Sequence, residues 1–292
     1  MLDPGPANAS TDIGQNLTLH EGPMDILFSL FLGTPVWMWA GFITLVLALL
    51  AFDLGILNRG GKEIGVRESL RLSALYIALG VAFGGFVWWQ MGMTSAAEYL
   101  TAFVVEKSLA LDNIFVIALI FSFFAIPRAS QHRVLFWGIL GVIVLRAIMI
   151  GVGATLVAQY GWLLYLFAAF LILTGIKMLF LGEKETHLED NILLKLMRRL
   201  FRVTDKLHGS AFFVRQTDPK TGRIATFLTP LFLALVLIEV ADVIFAVDSV
   251  PAVFAISTDP FIVYTSNIFA ILGLRALYFA LSAILHRFAY LK

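Results

Sequence analysis

Five carboxylates lie in apolar surroundings where a membrane-crossing helix would ordinarily carry none. Glu239, Asp242 and Asp248 fall in the run 237–251, inside a longer apolar segment, 226–256. Glu106 and Asp112 fall in a second run, 105–115, which also sits in an apolar segment. A charge at bilayer depth costs at least about 2.5–3.5 kcal/mol on insertion scales. Each carboxylate therefore needs a partner, or it takes up a proton. Oxygen donors suit hard divalent cations such as Mg2+, Ca2+ and Mn2+. Asp112, Asn113, Asp242 and Asp248 are candidate ligands, with Glu106, Glu239 and Ser249 close by.

The two runs echo each other. Glu106 and Asp112 have the same spacing as Asp242 and Asp248, and each second acid is followed by a small polar residue, Asn113 or Ser249. Downstream of each comes a Leu-Arg-Ala triplet, Leu145-Arg146-Ala147 and Leu274-Arg275-Ala276. Two copies of one ancestral unit would account for this, as in many transporters. Six residues turn an α-helix through about 600°, so Glu106 and Asp112 point about 120° apart. One straight helix cannot aim both at one ion; crossing helices can, and so can a broken one. Pro251 offers a break in the later run, because it has no N–H and frees the carbonyl of Val247. The five acids against Lys107, Arg146 and Arg275 leave a charge of −2, which one divalent cation or bound protons would balance. The competing reading is structural: Arg146 and Arg275 could each pair with an acid and lock two helices together. Asp53 reads as interfacial, Lys177 as snorkelling, and Asn267 as a helix–helix hydrogen bond.

The elements that must position these groups follow from composition. Of the 292 residues, 60% are hydrophobic and 14% charged, with a net charge of +1 and a mean hydropathy of +0.89. Soluble domains carry about 25% charged residues, so this is a polytopic membrane protein. The chain has no cysteine, which excludes disulfides and thiolate metal sites. Seven apolar segments are long enough to span: 36–57, 70–90, 96–125, 132–158, 161–181, 226–256 and 260–285. Loop charge sets their direction. Lys and Arg cluster after the first, third, fifth and seventh segments and are missing near 91–95, 160 and 257–259. By the positive-inside rule the N-terminus lies outside and the C-terminus in the cytosol. Spans three and six then run in opposite directions.

The expected fold is an all-α polytopic transmembrane helical bundle of about seven spans. An inverted repeat relates spans three and four to spans six and seven. The expected division is a flexible extracytoplasmic tail (1–23), a first membrane part (24–181), a cytosolic loop (182–225) and a second membrane part (226–292). No cleavable signal pattern is visible in the tail, and 24–33 reads as a short interfacial helix. In the loop, 189–207 reads as a basic amphipathic helix on the membrane surface or a partner. Asp218-Pro219-Lys220-Thr221-Gly222 reads as the turn of a small hairpin. Gly138, Gly141, Gly151 and Gly153 permit close helix packing, within one chain or in a homo-oligomer.

The chain resembles the TerC family of integral membrane proteins, including its Alx-type members. The resemblance rests on Glu106-Lys107-Ser108-Leu109-Ala110-Leu111-Asp112-Asn113, on 239–256 with Glu239, Asp242, Asp248 and Pro251, and on 265–279 with Asn267 and Arg275. His208-Gly209 before Phe212-Phe213-Val214 also fits. It covers about 52–286 and implies a manganese exporter with Glu106, Asp112, Asn113, Glu239, Asp242 and Asp248 as the metal site. Residues alone give only a hard cation. The expected function is secondary transport of Mn2+, or of Ca2+ or another hard divalent ion, out of the cytosol through a midplane carboxylate site, in exchange for protons. The expected location is the bacterial inner membrane, with the lipid bilayer and the metal ion as partners, no nucleic acid and no tightly bound cofactor. Two alternatives differ in class. One is a non-transporting module that organises partner proteins through the cytosolic loop. The other is an intramembrane hydrolase using Asp112 and Asp248, which five acids and a repeat argue against. No zinc-protease helix, nucleophile elbow or phosphate loop is present, so no enzyme activity is expected.

Overall fold

A computed structural model describes residues 27–57, 65–181, 192–218 and 222–289. The expected tail 1–23 lies outside the described residues. The chain enters through a minimal hairpin, β1 (Leu30–Phe31) and β2 (Thr34–Pro35), turned by Leu32 and Gly33 at positive φ. This replaces part of the interfacial helix expected over 24–33, because a Leu-Gly pair with positive φ reverses the chain instead of winding it.

Long apolar helices follow: α1 (Val36–Leu57), α2 (Val66–Met91), α3 (Met93–Phe123), α4 (Arg128–Gln159) and α5 (Leu163–Leu181). After the loop come α7 (Pro230–Phe254), α8 (Pro260–Ile271) and α9 (Leu274–Ala289). Five described stretches are long and apolar enough to cross a membrane: Val36–Gly55, Val66–Met91, Arg128–Gln159, Pro230–Phe254 and Pro260–Ser282. Helix α3 has the length, at 31 residues, but carries Glu98, Glu106, Lys107 and Asp112. The described apolar stretch of α5, Leu163–Lys177, is shorter.

Helix α3 packs on α2, α7 and α8, and α4 packs on α7 and α8. The elements bearing the acidic runs and the arginines thus form the middle of the bundle. Burial grades outward from there. In the most apolar stretch of α8–α9, 89% of residues are buried, against 28% in α1. The outer faces of α1 and α5 leave Leu47, Phe52, Ile172 and Leu173 exposed, which suits contact with lipid.

The helix break is not where Pro251 suggests. Helix α7 continues through Pro251 to Phe254. Proline so near a C-terminus forfeits one backbone bond and needs no rearrangement upstream. The break falls instead at Leu272–Gly273, between α8 and α9. Gly273 has φ +83, and a Cβ there would lie 2.7 Å from Tyr76 Cβ, so both the backbone and the space call for glycine. The carbonyls freed at the break accept from Lys107 Nζ, at 2.8 Å for Ala270 and 3.3 Å for Leu272.

The loop holds a short amphipathic helix, α6 (Ile192–Leu200), and the hairpin β3 (Phe213–Thr217) with β4 (Ile224–Leu228). Leu194 and Met197 pack on Leu228 and Leu233, which seats α6 against the start of α7. Residues 201–207 are not helical, so the helix is shorter than 189–207 at its described end. The two hairpins make the protein mostly helical instead of all-α.

Candidate functional site

Arg146 projects from the middle of α4 into the centre of the bundle and is 1% exposed. Helices α3 and α7 each aim one carboxylate at it. Its Nη1 donates to Glu106 Oε1 of α3. Its Nη2 donates to Asp242 Oδ1 at 3.0 Å and its Nε to Oδ2 at 3.2 Å, a two-point grip on α7. Nη1 also reaches Asn267 Oδ1 on α8 and Ser249 Oγ at 3.5 Å. Glu106, Asp242, Ser249 and Asn267 are all buried. A guanidinium with its donors shared among three other helices is the kind of fully paired group that tolerates a dry interior.

A seven-residue register organises the cluster. Seven residues are almost two turns, so Glu106 and Asn113 share one face of α3, and Asp242 and Ser249 share one face of α7. The contacts cross over. Ser249 Oγ donates to Glu106 Oε1 at 3.4 Å, and Asn113 Nδ2 donates to Asp242 Oδ1 at 3.3 Å. Spacing in the sequence offers Asn113 as a candidate ligand and Ser249 as a neighbour, but it pairs the acids at six residues and not at seven. The structure gathers Glu106, Asn113 and Asp242 with Arg146 among them. It leaves Asp112 exposed and Asp248 half-buried, on other faces of the same helices. Glu239 lies about one turn before Asp242, beside α4. A Cβ on Gly141 would come within 2.7 Å of its Oε2, so that glycine makes room for the carboxylate.

Both arginines pair with acids on other helices, as the structural reading of the sequence has it. Arg275 does not meet Asp242. It pairs with Asp53 of α1, and both are buried. Asp53 is thus a buried partner of Arg275, and Asn267 makes the expected helix–helix hydrogen bond, to Arg146. Lys107, counted above as a balancing charge, caps the α8–α9 break. The register of seven could have pointed to Ser249, and to Asn113 instead of Asp112 on the face of Glu106; no local signal pointed to the Arg275–Asp53 pair.

Charge and space remain uneven at the centre. Two carboxylates share one guanidinium. Glu106 Oε2 and Asn113 Oδ1 are buried acceptors without a partner, and so is the carboxylate oxygen Glu239 Oε2. Asn113 and Asp242 line a cavity of about 20 Å3 with Gly138, Ile139, Ile238 and Leu274, room for one water-sized occupant. Among the described residues no three Asp, Glu or His side chains close around a single metal position. Arg146 stands between the two acids that come nearest to doing so.

A second polar region lies at the α7–α8 connection. Ser257 Oγ donates to Glu98 Oε2 at 2.6 Å, and Asp259 caps α8, accepting from the amides of Phe261 at 2.8 Å and Ile262 at 3.4 Å. Both acids line a cavity of about 420 Å3. Glu98 was not singled out from the sequence. Burial pushes the Asp259 carboxyl above the usual carboxylate range; the two amides oppose this and Glu98 adds to it. The folded state thus holds this proton more tightly than the unfolded chain. That contribution to stability is full below the ordinary value, about 4, and is lost as pH rises through the raised one. Asp259→Asn keeps a capping side chain and removes the titration. Its thermal midpoint should gain on wild type as pH rises above about 4; a difference that stays constant would clear Asp259 as a source of pH dependence.

Residues 91–292 match the model of a family described as "Integral membrane protein TerC family". An "Uncharacterized membrane protein STKORF319" of Myxococcus xanthus is 47% identical over 255 residues, 87% of this chain and 78% of that protein. An "Uncharacterized membrane protein" of Rickettsia bellii (strain RML369-C) is 46% identical over 254 residues, covering 87% and 82%. A protein of Escherichia coli (strain K12), named "Putative membrane-bound redox modulator Alx", is 45% identical over 269 residues, covering 89% and 82%. No solved structure matches the chain.

Proposed function

The chain belongs to the TerC family of integral membrane proteins, and from that premise we propose that it exports a hard divalent cation, Mn2+ first, from the cytosol in exchange for protons. The observation that carries this reading is the meeting of Glu106 and Asp242, from two long apolar helices, around one shared arginine. Carboxylates kept at such depth with less than full neutralisation are costly, and transport pathways are where that cost recurs. Glu106, Asp242 and the Asn113 carbonyl oxygen offer oxygen donors of the kind Mn2+ takes. Glu239 lies toward the α6 side of α7 and would receive the ion before the central cluster. Asp112 and Asp248 stand outside this arrangement and would join it only if α3 and α7 turned.

The reading includes seven spans in a bacterial inner membrane, with α8 and α9 as the two halves of the seventh and the N-terminus outside. It also includes an inverted repeat. Support for the repeat comes from the reciprocal contacts Glu106–Ser249 and Asn113–Asp242, which a two-fold axis between α3 and α7 would generate. The discontinuous α8–α9 beside the site is a familiar transporter device. The chain has no cysteine. A redox role of the kind named for the Escherichia coli relative would here act through metal supply instead of a thiol.

The test is Mn2+ flux into proteoliposomes holding the purified protein, with a lumenal pH dye. Mn2+ movement with opposite proton movement is expected. Absence of flux from folded protein, with Mn2+ and Ca2+ each tried, would sink the proposal.

A further inference from the structure

We infer that Arg146 is a tethered cation that occupies the carboxylate site in place of the cargo, and that the cargo must displace it to bind. The inference rests on the transport reading above and names the group that regulates its site. The oxygens that a divalent ion would need are the ones the guanidinium holds: Glu106 Oε1 and both oxygens of Asp242. Nε, Nη1 and Nη2 are all engaged, so a second cation on these oxygens would sit against the guanidinium's positive charge. Charge points the same way. For Glu106 and Asp242 alone, the two acids that hold Arg146, the guanidinium and a divalent ion together would leave +1, whereas the ion in place of Arg146 leaves these two carboxylates neutral.

The arrangement is also built to let go. Glu106 Oε2 and Asn113 Oδ1 are buried and unpartnered, and the cavity of about 20 Å3 touches Asn113 and Asp242. The cavity thus gives an incoming ion room beside Asn113 and Asp242, while the Glu106 oxygen becomes reachable once Arg146 moves. Asn267 Oδ1 and Ser249 Oγ hold Nη1 from α8 and α7. They are neutral contacts that steady Arg146 in the occupied position. Arg146 acts here as a positioning residue: it sets when the carboxylates are available.

Titration of Mn2+ into purified full-length protein in nanodiscs, by calorimetry, tests this. Arg146→Gln should bind Mn2+ about tenfold or more tightly than wild type, as expected when a competing interaction is removed, while flux falls because nothing expels the ion. Arg146→Lys, which keeps the charge but loses the two-point grip, should lie between. Asn267→Ala leaves both carboxylates and the arginine in place and guards against misfolding of the Gln variant. It loosens the occupied position and should tighten Mn2+ binding about threefold. Equal or weaker Mn2+ binding in Arg146→Gln overturns the inference, and so does the same result in Asn267→Ala if the Gln variant does not fold. Wild type that binds and carries Mn2+ while either result holds would leave the transport reading standing and remove only the role of Arg146. Wild type that neither binds nor carries the ion removes both.

Discussion

Asp242→Asn should abolish Mn2+ flux while the protein stays folded. Asp242 is the acid most heavily used at the centre, accepting from Nε and Nη2 of Arg146 and from Asn113. Asparagine keeps its volume and removes its charge. The cluster is then one carboxylate, Glu106, against one guanidinium, a neutral pair with no call for a further cation. Loss of a buried charged ligand costs about 3 kcal/mol of binding, roughly a hundredfold in affinity. The neutral residue left behind is what makes folding survive, so the thermal midpoint should stay near wild type. Asp112→Asn provides the contrast. Asp112 is exposed and touches none of the cluster, so its flux should stay within about twofold of wild type. Proteoliposome flux of the two variants, beside their thermal midpoints, decides the matter. Retained flux in Asp242→Asn, or a reversed ranking, would move the cation path away from the α3–α7 centre.

Arg275→Met should be the most destabilising of the simple charge removals outside that centre. Arg275 and Asp53 tie α9 to α1, and both are buried. Breaking such a pair from one side leaves an unpaired buried charge and costs about 3–5 kcal/mol. Replacing both partners with apolar residues of similar size is close to neutral. The double variant Asp53→Leu with Arg275→Met should therefore recover most of what the single variant loses. Thermal unfolding in detergent measures both. A single variant as stable as wild type would show that the pair contributes little; a double variant no better than the single would show that α9 needs Arg275 for some reason other than charge balance. Flux in the double variant reports whether the peripheral pair serves only the fold.

These expectations separate what could be read from the chain from what could not. Hydropathy and composition were enough to identify a membrane protein, because lipid demands long apolar stretches whatever they pack against. The cost of charge at depth marked Glu106, Asp112, Glu239, Asp242 and Asp248 alike, and by itself could not rank them. Tertiary structure decided the partners. Spacing along one helix gives angles within that helix, so it could say that Glu106 and Asp112 diverge. It could not say which helices touch or how each is rotated about its axis. That rotation brings Asn113 and Ser249, seven residues on, into the centre and turns Asp112 out. It also gives both acids to Arg146 and sends Arg275 to Asp53. The break at Gly273 instead of Pro251 has a similar origin. Proline's loss is local and small near a helix end, whereas Gly273 answers to the approach of Tyr76 from α2 and to Lys107 from α3. Those are contacts between distant parts of the chain, and only the packed bundle brings them together.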